Sequence, residues 1–205
     1  MKWLKYALIF LIPLVILLFS FRVYVFDDDY YNQEFVNYDV ISNFPLVDSA
    51  LSNLFNFFQE GEELNFEIFS EREILHLNDV KNIILKILLI LNILFILTFS
   101  IIAYFMYNKD YHSISFAFII GGILSLVLSL SIIILSFFSF ESFFIRFHEL
   151  FFSNNLWLLP SDSTLIRMFS QTFFYNITKR IILNSVFLSC FIIVLGVGAR
   201  YIKEK

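Results

Sequence analysis

The 205-residue chain has one cysteine, five glycines, three prolines and only 16% charged residues. A lone cysteine can form neither an internal disulfide framework nor a Cys-rich metal cluster. The scarcity of Gly and Pro excludes collagen-like and low-complexity architectures. Fourteen basic residues stand against eighteen acidic ones, for a net charge of −4, and no Lys/Arg-rich block occurs. Nucleic acid, whose phosphates demand a basic surface, is therefore excluded as a partner. What the chain has instead is 59% hydrophobic and 20% aromatic residues, with a mean hydropathy of +0.79. That composition excludes disorder and an ordinary soluble enzyme, and points to membrane lipid or a lipid-linked partner.

A helix needs about 20 mostly apolar residues to cross the roughly 30 Å hydrocarbon core. Four segments qualify: 3–25, 87–106 with a helical lead-in from Lys81, 114–140 and 181–199. Lys2 and Lys5 precede the first run as they would in a signal peptide, but no small-x-small cleavage site follows before Asp27, so the segment reads as an uncleaved anchor. The resulting division is a first span at 1–26, a cap at 27–80, a second span at 81–107, a short loop at 108–113, a third span at 114–140, a second outer loop at 141–179, and a fourth span with a tail at 180–205.

Lys2, Lys5, Lys109, Arg200, Lys203 and Lys205 all fall on one side if both termini are cytoplasmic, as expected from the retention of basic flanks there. Arg22, Lys81, Lys86, Lys179 and Arg180, near the other ends of the spans, oppose that orientation. Between Asp27 and Asp79 lie thirteen acidic residues against the single basic residue Arg72. This asymmetry fits an extracellular cap.

The expected fold is an α-helical integral membrane protein of four transmembrane helices with a small mixed α/β extracellular cap. The Tyr-, Val- and Phe-rich stretch from Asp27 to Ile41 predicts one or two short strands. Leu51, Leu54, Phe55 and Phe58 have the spacing of an amphipathic helix, which Gly61 ends. Leu64, Phe66 and Ile68 alternate with polar neighbours, which predicts a half-buried strand. Ser70 and Glu73 form a capping-box pattern, so a helix starts near Glu71 and continues into the second span. Pro160, Ser161 and Asp162 predict a turn and N-cap in a helical hairpin at the membrane surface.

Three histidines are present. His112 reads as a solvated loop residue. His76 lies in the lead-in to the second span and His148 just beyond the third. A short loop joins those spans, so they pack antiparallel and bring the two histidines to one level. Imidazole titrates near pH 6.5 and so serves as acid or base at neutral pH. Asp79, and Glu73 one turn earlier, share the helical face of His76 and are candidates to fix its tautomer. Two interfacial histidines satisfied by backbone or water are the alternative.

Rival chemistries lack their residues. His148-Glu149-Leu150-Phe151-Phe152 begins like the HExxH zinc pattern, but Phe152 replaces the second ligand, so no metal site is expected. Cys190 lies near the middle of the fourth span and reads as a packing residue. No G-x-S-x-G elbow or phosphate-binding loop occurs. Arg146, Arg167, Asn154, Asn155 and Trp157 flank His148 and are candidates to hold a headgroup or a developing oxyanion, against snorkelling and an aromatic belt as the plainer readings. Asn176-Ile177-Thr178 matches a short glycosylation pattern of low specificity.

The segments 73–81, 147–157 and 165–169, the first two centred on His76 and His148, resemble the bacterial lipoprotein intramolecular transacylase family, Lit. The four-span layout is also similar, so the resemblance covers nearly the whole chain. It implies transfer of the sn-2 acyl chain of a diacylglyceryl-modified lipoprotein to the amino group of its N-terminal cysteine, giving the lyso form. It also implies that His76 and His148 are catalytic and that no cofactor is needed. Asp79 is then expected to orient His76, and Asn154 or Arg146 to hold the ester carbonyl. A membrane sensor, a transporter subunit, and an acyltransferase or phospholipase acting on free lipid are the competing classes, and the oligomeric state is open.

Overall fold

The computed structural model describes residues 3–201, so Lys2, Lys203 and Lys205 lie outside the described residues. The chain forms two compact units, to both of which helices α5 and α9 contribute. The elements in order are α1 Leu4–Tyr24, α2 Asp28–Asn37, α3 Val40–Asn43, α4 Val47–Gln59, α5 Glu71–Tyr107, α6 Tyr111–Phe138, α7 Phe140–Phe151, α8 Thr164–Met168 and α9 Gln171–Ala199.

The first unit comprises residues 1–23, 87–138 and 178–205. Its helices belong to α1, α5, α6 and α9, each long and apolar enough to cross a membrane. Within hydrocarbon a helix satisfies its own backbone groups, which is why such sequences have few other folded options. Ile96, Phe99, Val127, Phe187 and Val194 remain exposed on this unit, as suits a lipid surround. Inside, Leu8, Ile9, Ile12 and Ile16 of α1 pack on Ala117 of α6.

Small and weakly polar residues bring these helices close, as expected where lipid removes the hydrophobic drive between them. Ser189 of α9 donates to Ser125 of α6 at 2.7 Å, and Asn184 of α9 donates to Ser20 of α1 at 3.1 Å. Pro13 has no N–H for the carbonyl of Ile9, and Gly121 lies against that turn. A Cβ at Gly121 would stand 3.2 Å from the Ile9 oxygen and 2.9 Å from Ile12 Cδ1.

The second unit comprises residues 24–86 and 139–177. Tyr31 and Phe35 of α2 pack on Phe169 and Phe173, with Tyr31 also edge-on to Phe55 of α4 at 5.1 Å. Such rings supply much apolar area with little flexibility. Asn176 donates to Glu34 at 2.8 Å and to Tyr38 at 2.9 Å, tying α9 to α2.

The mixed α/β cap is corrected: no strand occurs among the described residues. The stretch after Asp27 is helical because Asp27 accepts from the Tyr30 amide at 3.1 Å and Asp28 and Asp29 occupy the first turn, where carboxylates suit the helix dipole. Its buried residues, Tyr30, Tyr31, Glu34 and Phe35, follow helical rather than alternating spacing. At 64–68 the alternation does not carry burial either, since Phe66 is 73% exposed while Leu64 and Phe69 are buried. Asn53 of α4 occupies the backbone there: its amide donates to the Glu63 carbonyl at 3.1 Å and its oxygen accepts from the Asn65 amide at 2.9 Å. Those groups are no longer offered to a neighbouring strand.

Gly61 takes φ +81° just beyond α4. The N-cap of α8 is Ser163, which accepts from the Ile166 amide at 3.4 Å, one residue beyond the expected Asp162. His112 lies exposed in the first turn of α6.

The close approach of α6 and α9 generates a prediction. A Cβ at Gly196 would meet Phe118 Cβ at 2.8 Å, Ile119 Cγ1 at 2.9 Å and the Ile119 amide nitrogen at 3.0 Å, whereas a Cβ at Gly198 meets nothing within 4 Å. Overpacking costs about 1–3 kcal/mol, against a gain of about 1 kcal/mol in helix propensity. Thermal unfolding in detergent is expected to show a lower Tm for Gly196→Ala and an unchanged or higher one for Gly198→Ala.

Candidate active site

The site begins at the first turn of α5. Glu73 is 2% exposed and fully employed. Its Oε2 accepts from the Ser70 amide at 2.9 Å and the Ser70 hydroxyl at 2.7 Å, completing the capping box. Its Oε1 accepts from the Leu165 amide of α8 at 2.8 Å. Thr164 adds a hydrogen bond from its hydroxyl to the Ile68 carbonyl at 2.6 Å. One carboxylate thus starts α5 and fastens α8 beside it.

His76 follows one turn later, on the part of α5 that precedes the apolar stretch 87–106. His76 is 8% exposed, and its Nδ1 has no hydrogen-bond partner among the described residues. His148 lies in the last turn of α7, 9% exposed. Its Nδ1 is 2.8 Å from the carbonyl oxygen of Phe144, one turn back. Only an Nδ1–H can donate to that carbonyl, so the neutral ring carries its lone pair on Nε2.

The imidazole centroids are 6.2 Å apart, with rings inclined at 32°. Phe152 is shared by both, 5.1 Å from His76 and stacked 5.5 Å from His148. Trp157 at 4.9 Å, Phe144 at 4.2 Å and Phe147 at 5.5 Å complete the wall around His148. Burial, followed by the nearness of His148, lowers the pKa of His76 to about 4, with the Asp79 carboxylate opposing in part. Burial also lowers the pKa of His148, opposed by its bond to the Phe144 carbonyl. Both imidazoles are consequently neutral at pH 7 and able to accept or share a proton.

The expected site residues divide into groups. His76, His148 and Trp157 meet. Asp79 lies on the His76 face, but its Oδ2 accepts from the Asn154 amide at 2.8 Å and no hydrogen bond joins it to His76. Asn155 enters through its backbone carbonyl, which accepts from the Arg72 guanidinium. Arg146 is 83% exposed and ion-paired with Glu149 at 2.8 Å. Arg167 donates to the Asn43 carbonyl at 2.7 Å and covers the Phe44 ring. Cys190 is exposed on α9, in the other unit. No group of three or more His, Cys, Asp or Glu residues converges as a metal site among the described residues.

Phe144, Phe152, Arg72 and the bracketing role of Glu73 are the parts that sequence reasoning missed. Phe144 precedes His148 by one helical turn. Phe152 stands in the slot where a zinc site would need its second histidine. Arg72 is the single cation in an otherwise acidic segment.

The family model for the lipoprotein intramolecular transacylase Lit matches residues 6–174. The fold is similar to that of the membrane-integral lipoprotein intramolecular transacylase Lit from Bacillus cereus, with a TM-score of 0.87 at 19% identity over 96% of this chain and 94% of that one. Two structures of the same Bacillus cereus protein, in which one histidine is mutated to arginine or to alanine, are similar with a TM-score of 0.80 at 18% identity, each over 96% of this chain and over 90% and 92% of theirs. No curated protein matches the chain.

The Glu73 bracket leads to a stability prediction. Alanine at this position strands two backbone N–H groups, those of Ser70 and Leu165, each costing about 1–3 kcal/mol when buried. Glu73→Ala is expected to lower the Tm and to speed hydrogen exchange at Leu165. Glu73→Gln, which keeps one acceptor oxygen, is expected to fall between Glu73→Ala and the unaltered protein on both measures.

Proposed function

This chain belongs to the lipoprotein intramolecular transacylase family, and we propose that it moves the sn-2 acyl chain of a diacylglyceryl-modified lipoprotein onto the amino group of that lipoprotein's N-terminal cysteine, leaving the lyso form. The family is one of acyltransferase enzymes. The observation that carries the mechanistic reading is the pair of buried, neutral imidazoles facing each other across 6.2 Å within an aromatic wall.

In this transfer the amine nitrogen forms a bond to the acyl carbon, the bond from that carbon to the glyceryl oxygen breaks, and one proton moves from nitrogen to oxygen. No net proton is taken up, so the site needs no group that is protonated at rest. His148 is the base: its Nδ1–H is held by Phe144, and its Nε2 lone pair takes the proton from the attacking amine. The imidazolium so formed returns that proton to the departing glyceryl oxygen. His76 stays neutral and donates a hydrogen bond to the ester carbonyl as negative charge develops there, as suits an imidazole whose pKa is lowered to about 4.

Donor ester and acceptor amine are parts of one substrate, so catalysis rests mainly on holding them in a near-attack geometry. An enzyme nucleophile is not required. Asn154, expected from the sequence to hold the ester, has its amide committed to Asp79, and Arg146 is committed to Glu149. The aromatic wall is the surface left for the substrate, and it suits an acyl chain.

The protein is membrane-integral and multi-pass. We place both termini in the cytoplasm and residues 27–80 and 141–179 on the extracellular face of a bacterial cell membrane. Lys5, Lys109 and Arg200 support this placement among the described residues, as does the acidic character of 27–80.

Two outcomes are expected. Mass spectrometry of a reporter lipoprotein in a host lacking N-acylation should show the N-acyl, S-monoacylglyceryl species with the unaltered protein. Transfer should fall at least about 100-fold with His76→Ala or His148→Ala, each still inserted in the membrane. Near-normal transfer by both variants would remove the histidines from the chemistry. The second outcome concerns pH. The substrate amine titrates at about 7.7–8.0 and attacks only when neutral. Both histidines, with pKa values lowered from 6.5, are already neutral above that pH. The transfer rate is expected to rise about tenfold per unit from pH 6.5 to 7.5 and to level above 8, and a second break between 6.5 and 8 would contradict the assignment.

A further inference from the structure

The residues that cover the histidines are fastened at two points, and both fastenings come from α5. Helix α7 stops at Phe151, and Phe152 continues in extended backbone with φ −117° and ψ 129°. The segment from Phe152 to Trp157 then crosses the site, with Phe152 against both imidazoles and Trp157 against His148. Arg72 and Asp79 stand four residues before and three residues after His76, which places all three on one face of α5. Arg72 donates to the carbonyl of Asn155, and Asp79 accepts from the side-chain amide of Asn154 at 2.8 Å. The strap is therefore clasped on either side of His76.

Asn154 is occupied at both ends of its amide. While Nδ2 donates to Asp79, Oδ1 accepts from the Leu156 amide at 3.0 Å and shapes the turn that leads to Trp157. The Asn155 carbonyl also accepts from the Leu158 amide at 3.2 Å, and Leu159 closes onto the Trp157 carbonyl at 3.0 Å. Rotation of the Asn154 side chain would break the clasp and the turn together. Asp79, in contrast, makes no hydrogen bond to His76, whose Nδ1 has no partner among the described residues.

We propose that Asp79 and Asn154 are positioning residues for the transfer: their hydrogen bond clasps the 152–157 strap to α5 and sets Phe152 and Trp157 against the two histidines. Asp79 thus acts on the site through the strap, not as the hydrogen-bonded orienter of His76. This rests on the reading of His76 and His148 as the catalytic pair. A wall held by these two fastenings keeps water from the imidazoles and holds their ring planes.

The reciprocal exchange of the two residues tests it. Asn154→Asp sets two carboxylates against each other, and Asp79→Ala removes the acceptor. Each is expected to lower the rate of transfer at saturating lipoprotein by at least tenfold. The double variant Asp79→Asn with Asn154→Asp restores a donor and an acceptor, and the new side-chain oxygen still accepts from the Leu156 amide. It is expected to recover to within threefold of the unaltered protein. An orienting carboxylate at 79 predicts the opposite, because the double variant no longer has one.

Trp157 supplies a readout that does not depend on activity. In a Trp3→Phe background its emission reports the strap alone, since the chain has two tryptophans. The expected result is a red shift with Asn154→Asp that is reversed in the double variant. Unchanged emission with Asn154→Asp, or a double variant that fails to recover in both emission and rate, would overturn the clasp. Unimpaired transfer by His76→Ala and His148→Ala would instead overturn the catalytic reading on which it rests, leaving the emission test of the clasp intact.

Discussion

The placement of the candidate site depends on one buried carboxylate. Glu73 is 2% exposed, and a carboxyl group so buried is unfavourable unless its oxygens find donors. It finds three, from the Ser70 amide, the Ser70 hydroxyl and the Leu165 amide. The first two set where α5 begins, and a helix whose start is pinned has its phase pinned. His76, three residues on, therefore has a fixed direction, and with it the face that carries Arg72 and Asp79. The third donor brings α8 against the same turn, so a local capping motif also becomes a tertiary restraint.

Around that fixed point the chemistry follows from dryness. Imidazoles surrounded by Phe144, Phe147, Phe152 and Trp157 lose the hydration that would stabilise their charged forms, and proximity makes a second positive charge costlier still. In many enzymes a histidine of low pKa would be a poor acid. Here the reaction carries its own proton, from amine to glyceryl oxygen, so a resting neutral pair fits the balance. The same burial that withholds charge from the rings keeps free water, the competing acyl acceptor, from the ester.

Legibility in the sequence follows the range of the interaction. Features written in contiguous residues are readable: four long apolar helices, the Ser70/Glu73 cap, the amphipathic spacing of α4 and its stop at Gly61. The convergence of His76 and His148 is readable as well, because a short loop joining two long helices leaves few arrangements. The expected strands are absent because alternation over five residues is weak beside what three-dimensional neighbours supply. Asn53 takes the backbone of 63 and 65, and the Asp27 cap starts a helix where aromatic composition suggests β structure. The partners of Asp79 and Arg72 lie 75 and 83 residues away in sequence, beyond the reach of any local pattern.

The cations of the second unit bear on the choice between a lipoprotein and a free phospholipid as acyl donor. Recognition of a phosphate headgroup calls for an arginine or lysine presented to the ligand. Four of this unit's five arginines and lysines are engaged, Arg72 by the Asn155 carbonyl, Arg167 by the Asn43 carbonyl and the Phe44 ring, Arg146 by Glu149, and Lys81 by the Phe57 carbonyl and ring, while Lys86 is exposed. The same unit contains most of the chain's acidic residues, which repel a phosphodiester. A diacylglyceryl group joined to cysteine through sulfur has no phosphate, and the amine that accepts its acyl chain gains from an acidic surround. An aromatic wall, a neutral imidazole pair and four cations turned to structural use are mutually consistent, and they favour an uncharged glyceryl donor carried on a peptide.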